Sequence, residues 1–323
     1  MKIDLYPLKF RPILKDKIWG GDKLGKYLNK DSDSKILGES WEISTISKAI
    51  SIVSHGELKG KALPEIIEEY KSDLLGIKNY VRFGNEFPLL IKFIDAKEDL
   101  SIQLHPDDKL AEKRYNTFGK TEMWYIMQAD EDSNLIVGFN QDVDKKKYLK
   151  HLEGKSLLDI LNVDKVKEGE AYFIEAGRIH SICSGVMLAE IQQTSDITYR
   201  VHDWDRVDEK GNGRELHNDI AIDAFKFNLE DNFRLDYEKQ KNTSNEMVSC
   251  PFFTTNYLEI NSEIEKKNTY DSFLIYMCVD GEAEISTSTS TNVISKGETI
   301  LIPAAIKHFK LKANSAKLLE VYV

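Results

Sequence analysis

Residues 167–182 read KEGEAYFIEAGRIHSI, and residues 295–310 read SKGETILIPAAIKHFK. The two stretches share a Gly-Glu pair, an apolar run, a turn and a histidine, and the spacing from Gly169 to His180 equals that from Gly297 to His308. A short apolar run bounded by turn residues is typical of a buried strand. Two copies of such a unit indicate that one β domain occurs twice in the chain.

The sequence upstream of each copy extends this repeat. Residues 124–138, WYIMQADEDSNLIVG, pair loosely with residues 275–289, IYMCVDGEAEISTST. Strand, turn and strand therefore follow in the same order in both halves, which predicts two related antiparallel barrels. We predict a mainly β fold made of two cupin-like (jelly-roll) β-barrels with a few inserted helices.

The predicted helices fall between strands. Residues 63–76, LPEIIEEYKSDLLG, place their apolar side chains on one helical stripe, with Pro64 in the first turn and Gly76 at the end. Residues 142–162, DVDKKKYLKHLEGKSLLDILN, are predicted to be a helical insertion. Residues 214–225, RELHNDIAIDAF, are predicted to form a further helix.

Composition restricts the class of protein. The chain has 323 residues, of which 41% are hydrophobic, enough for two domains, and its net charge of -10 argues against a nucleic-acid or anionic-membrane partner. The N-terminal stretch MKIDLYPLKF lacks the apolar run of a signal peptide, and no later stretch is long enough to cross a membrane. The cysteines are few and contain no CxxC pair. We therefore expect a cytoplasmic protein.

A polar strand face follows a buried strand. Residues 87–96, FPLLIKFIDA, are almost wholly apolar, and residues 101–108, SIQLHPDD, come shortly after them. Because strand side chains alternate, Ser101, Gln103 and His105 point to one face. Polar groups inside a barrel are costly unless they find partners. Water, other side chains or a metal could supply those partners.

Four side chains converge if these strands line one barrel: Gln103, His105, Glu122 from GKTEMWYIM and His180 from the repeat. Two imidazoles, a carboxylate and an amide oxygen form a plausible set of ligands for zinc or another divalent metal. Taken one by one, His105 and His180 are also explained as core histidines and Glu122 as a surface acid, and amides are uncommon ligands. The joint pattern favours a common partner.

A second polar group surrounds the first. Lys120 shares a face with Glu122, Glu190 lies on one strand with Gln192, and Arg200 follows on the next strand. Each has an ordinary explanation: a solvated ammonium for Lys120, a rim carboxylate for Glu190, and for Arg200 an ion pair with an aspartate. The candidate partners of Arg200 are Asp196, Asp203 and Asp205. Their position on strands neighbouring a possible metal site distinguishes these residues.

These motifs resemble a known family. WGG at 19–21, GESWEIS at 38–44, SIQLHPDD, GKTEMWYI, AGRIHSI at 176–182 and EIQQTSDITYRVHDWDR at 190–206 are similar, in this order, to type I mannose-6-phosphate isomerases of the short bacterial form, in the cupin superfamily. The remainder resembles the small second cupin domain of that family. The resemblance implies an enzyme with one Zn²⁺ per chain that interconverts mannose 6-phosphate and fructose 6-phosphate.

The resemblance also implies roles for individual residues. The metal ligands of the family fall on Gln103, His105, Glu122 and His180. Its catalytic arginine falls on Arg200, an active-site carboxylate on Glu190, the lysine before the ligand glutamate on Lys120, and a substrate-pocket serine on Ser101.

The reaction explains why such side chains are needed. Moving hydrogen between C1 and C2 of a sugar through an enediol requires a base near both carbons and positive charge beside the developing oxygen anion. Arginine is a permanent cation and a poor base at neutral pH. We therefore expect Arg200 to stabilise the enediolate or the phosphate, Glu190 to transfer the proton, and Lys120 to assist ring opening or bind anionic oxygen. The predicted substrate-binding residues are Ser101, Lys120 and Arg200.

Other classes remain open at this point. They are a cupin dioxygenase with iron, a cupin isomerase of another sugar phosphate such as glucose 6-phosphate, and a non-catalytic metal- or sugar-binding cupin. The expected partner is a small phosphorylated sugar, and the expected assembly is a monomer or a weak homodimer.

The polar segment EKQKNTSNEM at 238–247 is the best linker candidate. We predict that residues 1–237 form the catalytic cupin domain with helical insertions and that residues 238–323 form a smaller, degenerate cupin domain. In the second copy, alignment of DSFLIYM with TEMWYIM places Ser272 or Phe273 where Glu122 lies. With His308 and Glu259 as its only candidate ligands, the second barrel is expected to bind no metal.

Overall fold

Antiparallel strands form most of the chain. The computed structural model describes residues 3–207, 210–230 and 232–323, so residues 1–2, 208–209 and 231 of the predicted catalytic domain lie outside the described residues. The first eleven strands are β1 (Ile13–Gly21), β2 (Leu37–Ile43), β3 (Leu89–Ala96), β4 (Ile102–Leu104), β5 (Glu122–Ala129), β6 (Asn134–Phe139), β7 (Leu161–Lys165), β8 (Ala171–Ile174), β9 (His180–Ile182), β10 (Val186–Gln193) and β11 (Tyr199–His202).

The remaining elements are eight strands and a few short helices. The strands are β12 (Asn245–Ser249), β13 (Thr254–Ile260), β14 (Glu263–Lys267), β15 (Leu274–Ser286), β16 (Thr291–Ser295), β17 (Thr299–Ile302), β18 (His308–Lys312) and β19 (Ala316–Tyr322). The helices are α1 (Lys23–Leu28), α2 (Leu63–Tyr70), α3 (Ser72–Leu75), α4 (Ile77–Phe83), α5 (Asp108–Tyr115), α6 (Lys145–Glu153), a 3-10 helix (Leu157–Ile160) and α7 (Asn218–Ala221).

The strands form two barrels of the same design. The first combines a sheet of order β1-β2-β3-β10-β5-β8 with a sheet of order β11-β4-β9-β6-β7. The second contains the order β12-β13-β19-β15-β18-β14, with β16 and β17 also paired to the long strand β15. The prediction of a mainly β fold with two cupin-like barrels and a few helices is confirmed.

The Gly-Glu repeat adopts one conformation in both barrels. Gly169 and Gly297 have φ values of 81° and 88°, in the left-handed region that favours glycine. The backbone N–H of Gly169 donates to the carbonyl oxygen of Ile126 at 2.9 Å, and that of Gly297 donates to the carbonyl oxygen of Cys278 at 2.8 Å. Each glycine therefore brings its chain back onto a strand of its own barrel.

The glutamates of the repeat close the same turn. The Glu170 carboxylate accepts from the backbone N–H of Lys167 at 2.9 Å, and the Glu298 carboxylate accepts from that of Ser295 at 2.8 Å. A side-chain acceptor satisfies a turn donor that the sheet leaves unpaired. The glycine and the glutamate that the two copies share therefore both have a structural role.

Strand register corrects the expected match to Glu122. Glu122 pairs with Ile174, and Leu274 pairs with Ile302 at the same distance from the Gly-Glu turn. Leu274 therefore takes the place of Glu122, and the prediction of Ser272 or Phe273 is wrong. Residues 273–279 are apolar and buried on both faces of the strand, so the alternation of side chains sets no register there.

The helix predictions are partly confirmed. The stripe of residues 63–76 is buried, but Lys71, with φ 51°, divides it into α2 and α3. The insertion at 142–162 contains α6 and the 3-10 helix. Among the residues that the structure describes, no helix combines the length and apolarity needed to cross a bilayer.

The helix predicted at 214–225 is largely wrong, because only α7, a single turn, forms there. The N-terminal part of this segment is tied to neighbouring structure instead. The backbone N–H of His217 donates to the carbonyl oxygen of Arg200 at 2.7 Å, and the Arg214 guanidinium binds the Asp203 carboxylate. Tertiary contacts thus override local helix propensity.

The two barrels share a core. The Phe87 and Phe273 rings lie 4.7 Å apart between centroids, and the backbones of Leu8 and Leu301 exchange hydrogen bonds of 2.8 and 2.9 Å. The buried Lys30 ammonium donates to Glu42 of β2 at 2.7 Å and to the carbonyl oxygen of Gly297 at 2.6 Å. The barrels therefore pack as one body, and the boundary at residue 237 stays a prediction.

A buried carboxyl on β3, Asp95, allows the effect of burial on stability to be tested. Asp95 is fully buried; its Oδ2 accepts from the backbone N–H of Lys23 at 2.8 Å, and its Oδ1 lacks a partner among the described residues. Burial raises the pKa of Asp95 from 3.8 to about 6. Because the folded state then binds the proton more tightly than the unfolded state, this group lowers stability as pH rises through that interval.

We expect Asp95→Asn to raise the free energy of unfolding by about 1–3 kcal/mol at pH 8 and by about half as much at pH 5. The amide keeps an acceptor for Lys23 and removes the charge. Urea unfolding at both pH values measures the effect. Asp33→Asn, at an exposed position, should change stability by less than about 0.5 kcal/mol. An equal effect of Asp95→Asn at both pH values would contradict the explanation.

Candidate active site

Three buried side chains meet inside the first barrel. His105 Nε2 lies 3.6 Å from Glu122 Oε2, and His180 Nε2 lies 3.5 Å from Glu122 Oε1. His105 follows β4, Glu122 begins β5 and His180 begins β9, so both sheets of the barrel contribute. One ligand atom from each residue lies within 4.8 Å of the others. The structure therefore brings together three of the four predicted metal ligands.

Backbone carbonyls orient both imidazoles. His105 Nδ1 donates to the carbonyl oxygen of Ile197 at 2.9 Å, and His180 Nδ1 donates to that of Arg178 at 2.9 Å. A carbonyl accepts only, so each Nδ1 carries the hydrogen and each Nε2 presents a lone pair to Glu122. Burial lowers the pKa of His105 to about 3 and also lowers the pKa of His180. Both rings are therefore neutral, the form that binds metals.

The acid between them is a carboxylate. Burial alone would raise the pKa of Glu122, but the Lys120 ammonium holds it well below its usual range. Lys120 Nζ lies 3.0 Å from Oε2, yet neither oxygen of Glu122 has a hydrogen-bond partner, and neither has His105 Nε2. Orphaned buried polar atoms are rare. Three of them facing one point fit a divalent cation.

Gln103, the fourth predicted ligand, lies beside this triad. Its residue pairs with His180 across β4 and β9, and its Nε2 lies 3.4 Å from His180 Nε2. Its Oε1 accepts from the Ser101 hydroxyl at 3.1 Å. A rotation of the amide by half a turn would place the oxygen toward His180, because O and N of an amide exchange positions readily. Ligation by Gln103 stays a prediction.

A cavity of about 500 Å³ adjoins the triad. The predicted catalytic and substrate-binding residues all line it: Ser101, Lys120, Glu190 and Arg200, together with Gln103. The structure thus brings into one place every residue that the motifs nominate. Asp196, expected only as a partner of Arg200, lines the same cavity.

Glu190 is held by two donors. Its Oε1 accepts from Lys92 Nζ at 2.9 Å, and its Oε2 accepts from Trp124 Nε1 at 2.9 Å. Burial would lower the pKa of Lys92, but the carboxylates of Glu190 and Glu39 raise it, so Lys92 is an ammonium. Lys92 is one of the charged cavity residues that sequence reasoning missed, and the others are Lys15, Lys17, Glu39 and Arg214. The signal for Lys92 was a single lysine inside the apolar run FPLLIKFIDA.

Arg200 has no carboxylate partner among the described residues. Its Nη1 donates to the carbonyl oxygen of Glu215 at 2.8 Å, and its buried Nε is unpaired. Asp203 instead binds Arg206 and Arg214, with nitrogen–oxygen distances of 2.7 Å for each. The ordinary ion pair with Asp203 is therefore excluded. Burial, with the nearby Arg214, lowers the pKa of Arg200.

Two neighbours of the predicted site lie apart from the cavity. His202 packs edge-on against Trp204, with ring centroids 5.3 Å apart. The Gln192 amide is buried and donates to the carbonyl oxygens of Gln193 at 2.9 Å and Ser195 at 2.6 Å. Both residues therefore support the strand ends around the site.

Two cupin barrels with a His/Glu/His centre and a polar cavity in the first define a metal-site cupin of the two-barrel kind. The sequence model of the phosphomannose isomerase type I catalytic domain matches residues 7–148, and that of the mannose-6-phosphate isomerase cupin domain matches residues 243–323. The chain belongs to the type I mannose-6-phosphate isomerase family and is an aldose–ketose isomerase by class.

Relatives match the chain over nearly its whole length. A putative mannose-6-phosphate isomerase of Bacillus subtilis, YvyI, is 34% identical over 95% of this chain and 96% of its own. The mannose-6-phosphate isomerase of Streptococcus mutans is 33% identical over the same shares of both chains. The crystal structure of the mannose 6-phosphate isomerase from Bacillus subtilis superposes with a TM-score of 0.88 at 32% identity and covers 99% of this chain and all of that one.

We expect His105→Ala, His180→Ala and Glu122→Gln each to weaken metal binding by at least about 100-fold, because each removes a donor from one shared site. Elemental analysis of dialysed protein measures the metal per chain. His308→Ala, at the matching position of the second barrel, is the control and should keep the metal content of the parent. Stoichiometric metal in any of the three site variants would contradict the assignment.

Proposed function

We propose that this protein interconverts mannose 6-phosphate and fructose 6-phosphate through an enediol, with one zinc ion per chain as its resident metal. The observation that carries the proposal is the buried triad of His105, Glu122 and His180 beside a cavity lined by Lys120 and Arg200. Relatives with both barrels are named mannose-6-phosphate isomerases.

The donor set supports zinc as the metal. Two neutral imidazole nitrogens and a carboxylate oxygen are ligands that zinc commonly takes, and His105, Glu122 and His180 would hold it. Gln103 would complete the shell if its amide oxygen turned inward. When bound, the ion supplies Lewis-acid polarisation of a sugar oxygen.

The cavity suits a small anionic substrate, although the chain is acidic overall. The side chains that line it include six cations and three carboxylates. The cations are Lys15, Lys17, Lys92, Lys120, Arg200 and Arg214, and the carboxylates are Glu39, Glu190 and Asp196. This local excess of positive charge attracts an anionic sugar phosphate into the cavity.

Arg200 and Lys120 are proposed to stabilise negative charge on the reacting oxygens. Arg200 lies opposite Gln103 in the pairing of β11 with β4, so it is next to the metal side of the cavity. Lys120 lies 3.0 Å from Glu122, whose charge a metal would engage. Its ammonium can then donate to a substrate oxygen. The Ser101 hydroxyl is proposed as a further substrate contact.

Glu190 is proposed to move the proton between C1 and C2. Lys92 and Trp124 donate to its two oxygens and so fix the orientation of the carboxylate on the cavity wall, which suits a base. Each oxygen accepts one hydrogen bond and keeps a second lone pair, so Glu190 can take up a proton without losing either donor. Lys92 is the counter-ion of the carboxylate before the proton arrives and after it has left.

The proposed cellular location is the cytoplasm. Cys183, Cys250 and Cys278 are free thiols, which suits the predicted reducing cytoplasm. The proposed partner is a small phosphorylated sugar, with no nucleic-acid or membrane partner, and the proposed assembly is a monomer or a weak homodimer.

A coupled assay tests the function. Fructose 6-phosphate formed from mannose 6-phosphate is converted to glucose 6-phosphate by an added isomerase and then oxidised by an added NADP-dependent dehydrogenase. We expect NADPH formation that stops after chelation and returns with Zn²⁺. Metal-loaded protein that fails to convert mannose 6-phosphate would contradict the proposal, and its binding of the sugar without turnover would favour a sugar-binding cupin.

We expect Arg200→Lys to lower kcat by about 100- to 1,000-fold with metal content unchanged, because lysine keeps a cation but loses the planar fork. Steady-state kinetics on mannose 6-phosphate, with elemental analysis, measures this. Arg82→Lys, at an exposed position, is the matched control. A normal kcat with a modest rise in KM would assign Arg200 to substrate binding instead.

A further inference from the structure

One cation of the cavity lies far from the metal triad. Lys15 is on β1, the edge strand of the sheet β1-β2-β3-β10-β5-β8, and it lines the cavity. Glu122 lies on β5 of the same sheet, with three strands between them. Arg200, in contrast, pairs directly with Gln103 beside the triad. Lys15 and Arg200 therefore line one cavity from strands of different sheets.

The Trp41 indole forms the cavity wall next to Lys15. Lys15 Nζ lies 4.9 Å from the centre of the Trp41 ring. Trp41 Nε1 donates to Glu39 Oε2 at 2.8 Å, and Lys17 Nζ lies 3.1 Å from the same oxygen. Lys92 Nζ lies 5.2 Å from the Trp41 ring. The indole is thus fixed by its own hydrogen bond, and it holds the Lys15 ammonium by a cation–π contact.

The charge of Lys15 is not neutralised within the described part of the chain. Lys17 pairs with Glu39, Lys92 with Glu190, Lys120 with Glu122 and Arg214 with Asp203. Of the cavity's cations, only Lys15 and Arg200 lack a carboxylate partner among the described residues. A cation–π contact orients an ammonium and leaves its full charge available to an anion.

We propose that Lys15 binds the phosphate group of the substrate and so selects phosphorylated sugars. The proposal rests on the proposed function, and it gives that site its phosphate contact. A hexose 6-phosphate carries its carbonyl and its phosphate at opposite ends. The carbonyl end has to lie by the triad and Arg200, so the phosphate lies on the side away from Glu122, toward β1, where Lys15 has no carboxylate partner among the described residues. Its ammonium is already held over the Trp41 ring, which reduces the ordering cost on binding.

Direct binding to the metal-loaded enzyme tests the proposal. The probe is glucitol 6-phosphate, which has the phosphate but no carbonyl to isomerise, and calorimetry gives its Kd. We expect Lys15→Met, which keeps the stem over Trp41, and Lys15→Gln to weaken binding by about 10- to 100-fold. Lys15→Arg should stay within about fivefold of the parent. Lys26→Met, which removes an exposed lysine paired with Asp22, is the charge-matched control and should bind as the parent does.

A second arm identifies the end of the probe that Lys15 contacts. Inorganic phosphate should compete with glucitol 6-phosphate in the parent and lose about 10-fold or more of its competing strength in Lys15→Met. In kinetics, KM for mannose 6-phosphate should rise and kcat should stay within about twofold. Unchanged binding in Lys15→Met and Lys15→Gln, or a fall in kcat at unchanged KM, would overturn the proposal. Parent enzyme that binds the probe but does not isomerise mannose 6-phosphate would count against the proposed function alone.

Discussion

The first barrel depends on a carboxylate that is buried without a hydrogen bond. Glu122 has none of its surface exposed, and its two oxygens face the lone pairs of His105 and His180 across 3.6 and 3.5 Å. An ionised group in that position is costly unless positive charge compensates it. Lys120 supplies part of this charge, and the proposed metal supplies the rest. The donors come from β4, β5 and β9, which belong to both sheets, so the site exists only when the barrel has closed.

The second barrel shows what remains when that constraint is relaxed. The turn built on Gly169 recurs at Gly297 with the same hydrogen bonds, and the strands pair in the same pattern. Leu274, however, takes the place of Glu122, and Lys267 takes the place of Gln103 opposite His308. A leucine costs nothing to bury, so no counter-charge is needed. The framework of the duplicated barrel therefore persists without the donor set.

Most of the fold and of the candidate site could be predicted from the sequence, and the predictions that were wrong have physical causes. The Gly-Glu repeat predicted two barrels because its glycine and glutamate each satisfy a local backbone requirement, at Gly169 and Glu170. Alternation along SIQLHPDD placed Gln103 and His105 on one face, and Glu122 and His180 came from other motifs. Lys92 escaped notice because its partner, Glu190, is distant in sequence and its neighbours are apolar. The helix at 214–225 was overestimated because ties to β11 are invisible in local propensity. Register within β15 was missed because residues 273–279 are apolar and buried on both faces, so alternation sets no register there.

The buried Lys30 ammonium has a consequence for how the two halves can change over evolution. It joins Glu42 on β2, the strand that also carries Trp41 of the cavity wall, to the Gly297 turn of the second barrel. Removing the smaller barrel would take away the Gly297 carbonyl that this ammonium binds and would uncover Phe87, whose ring packs against Phe273. The smaller barrel thus acts as a brace for the substrate wall, although the cavity takes no side chain from it. Loss of that half would cost the catalytic half its shape, which gives selection a reason to retain a barrel that holds none of the catalytic groups.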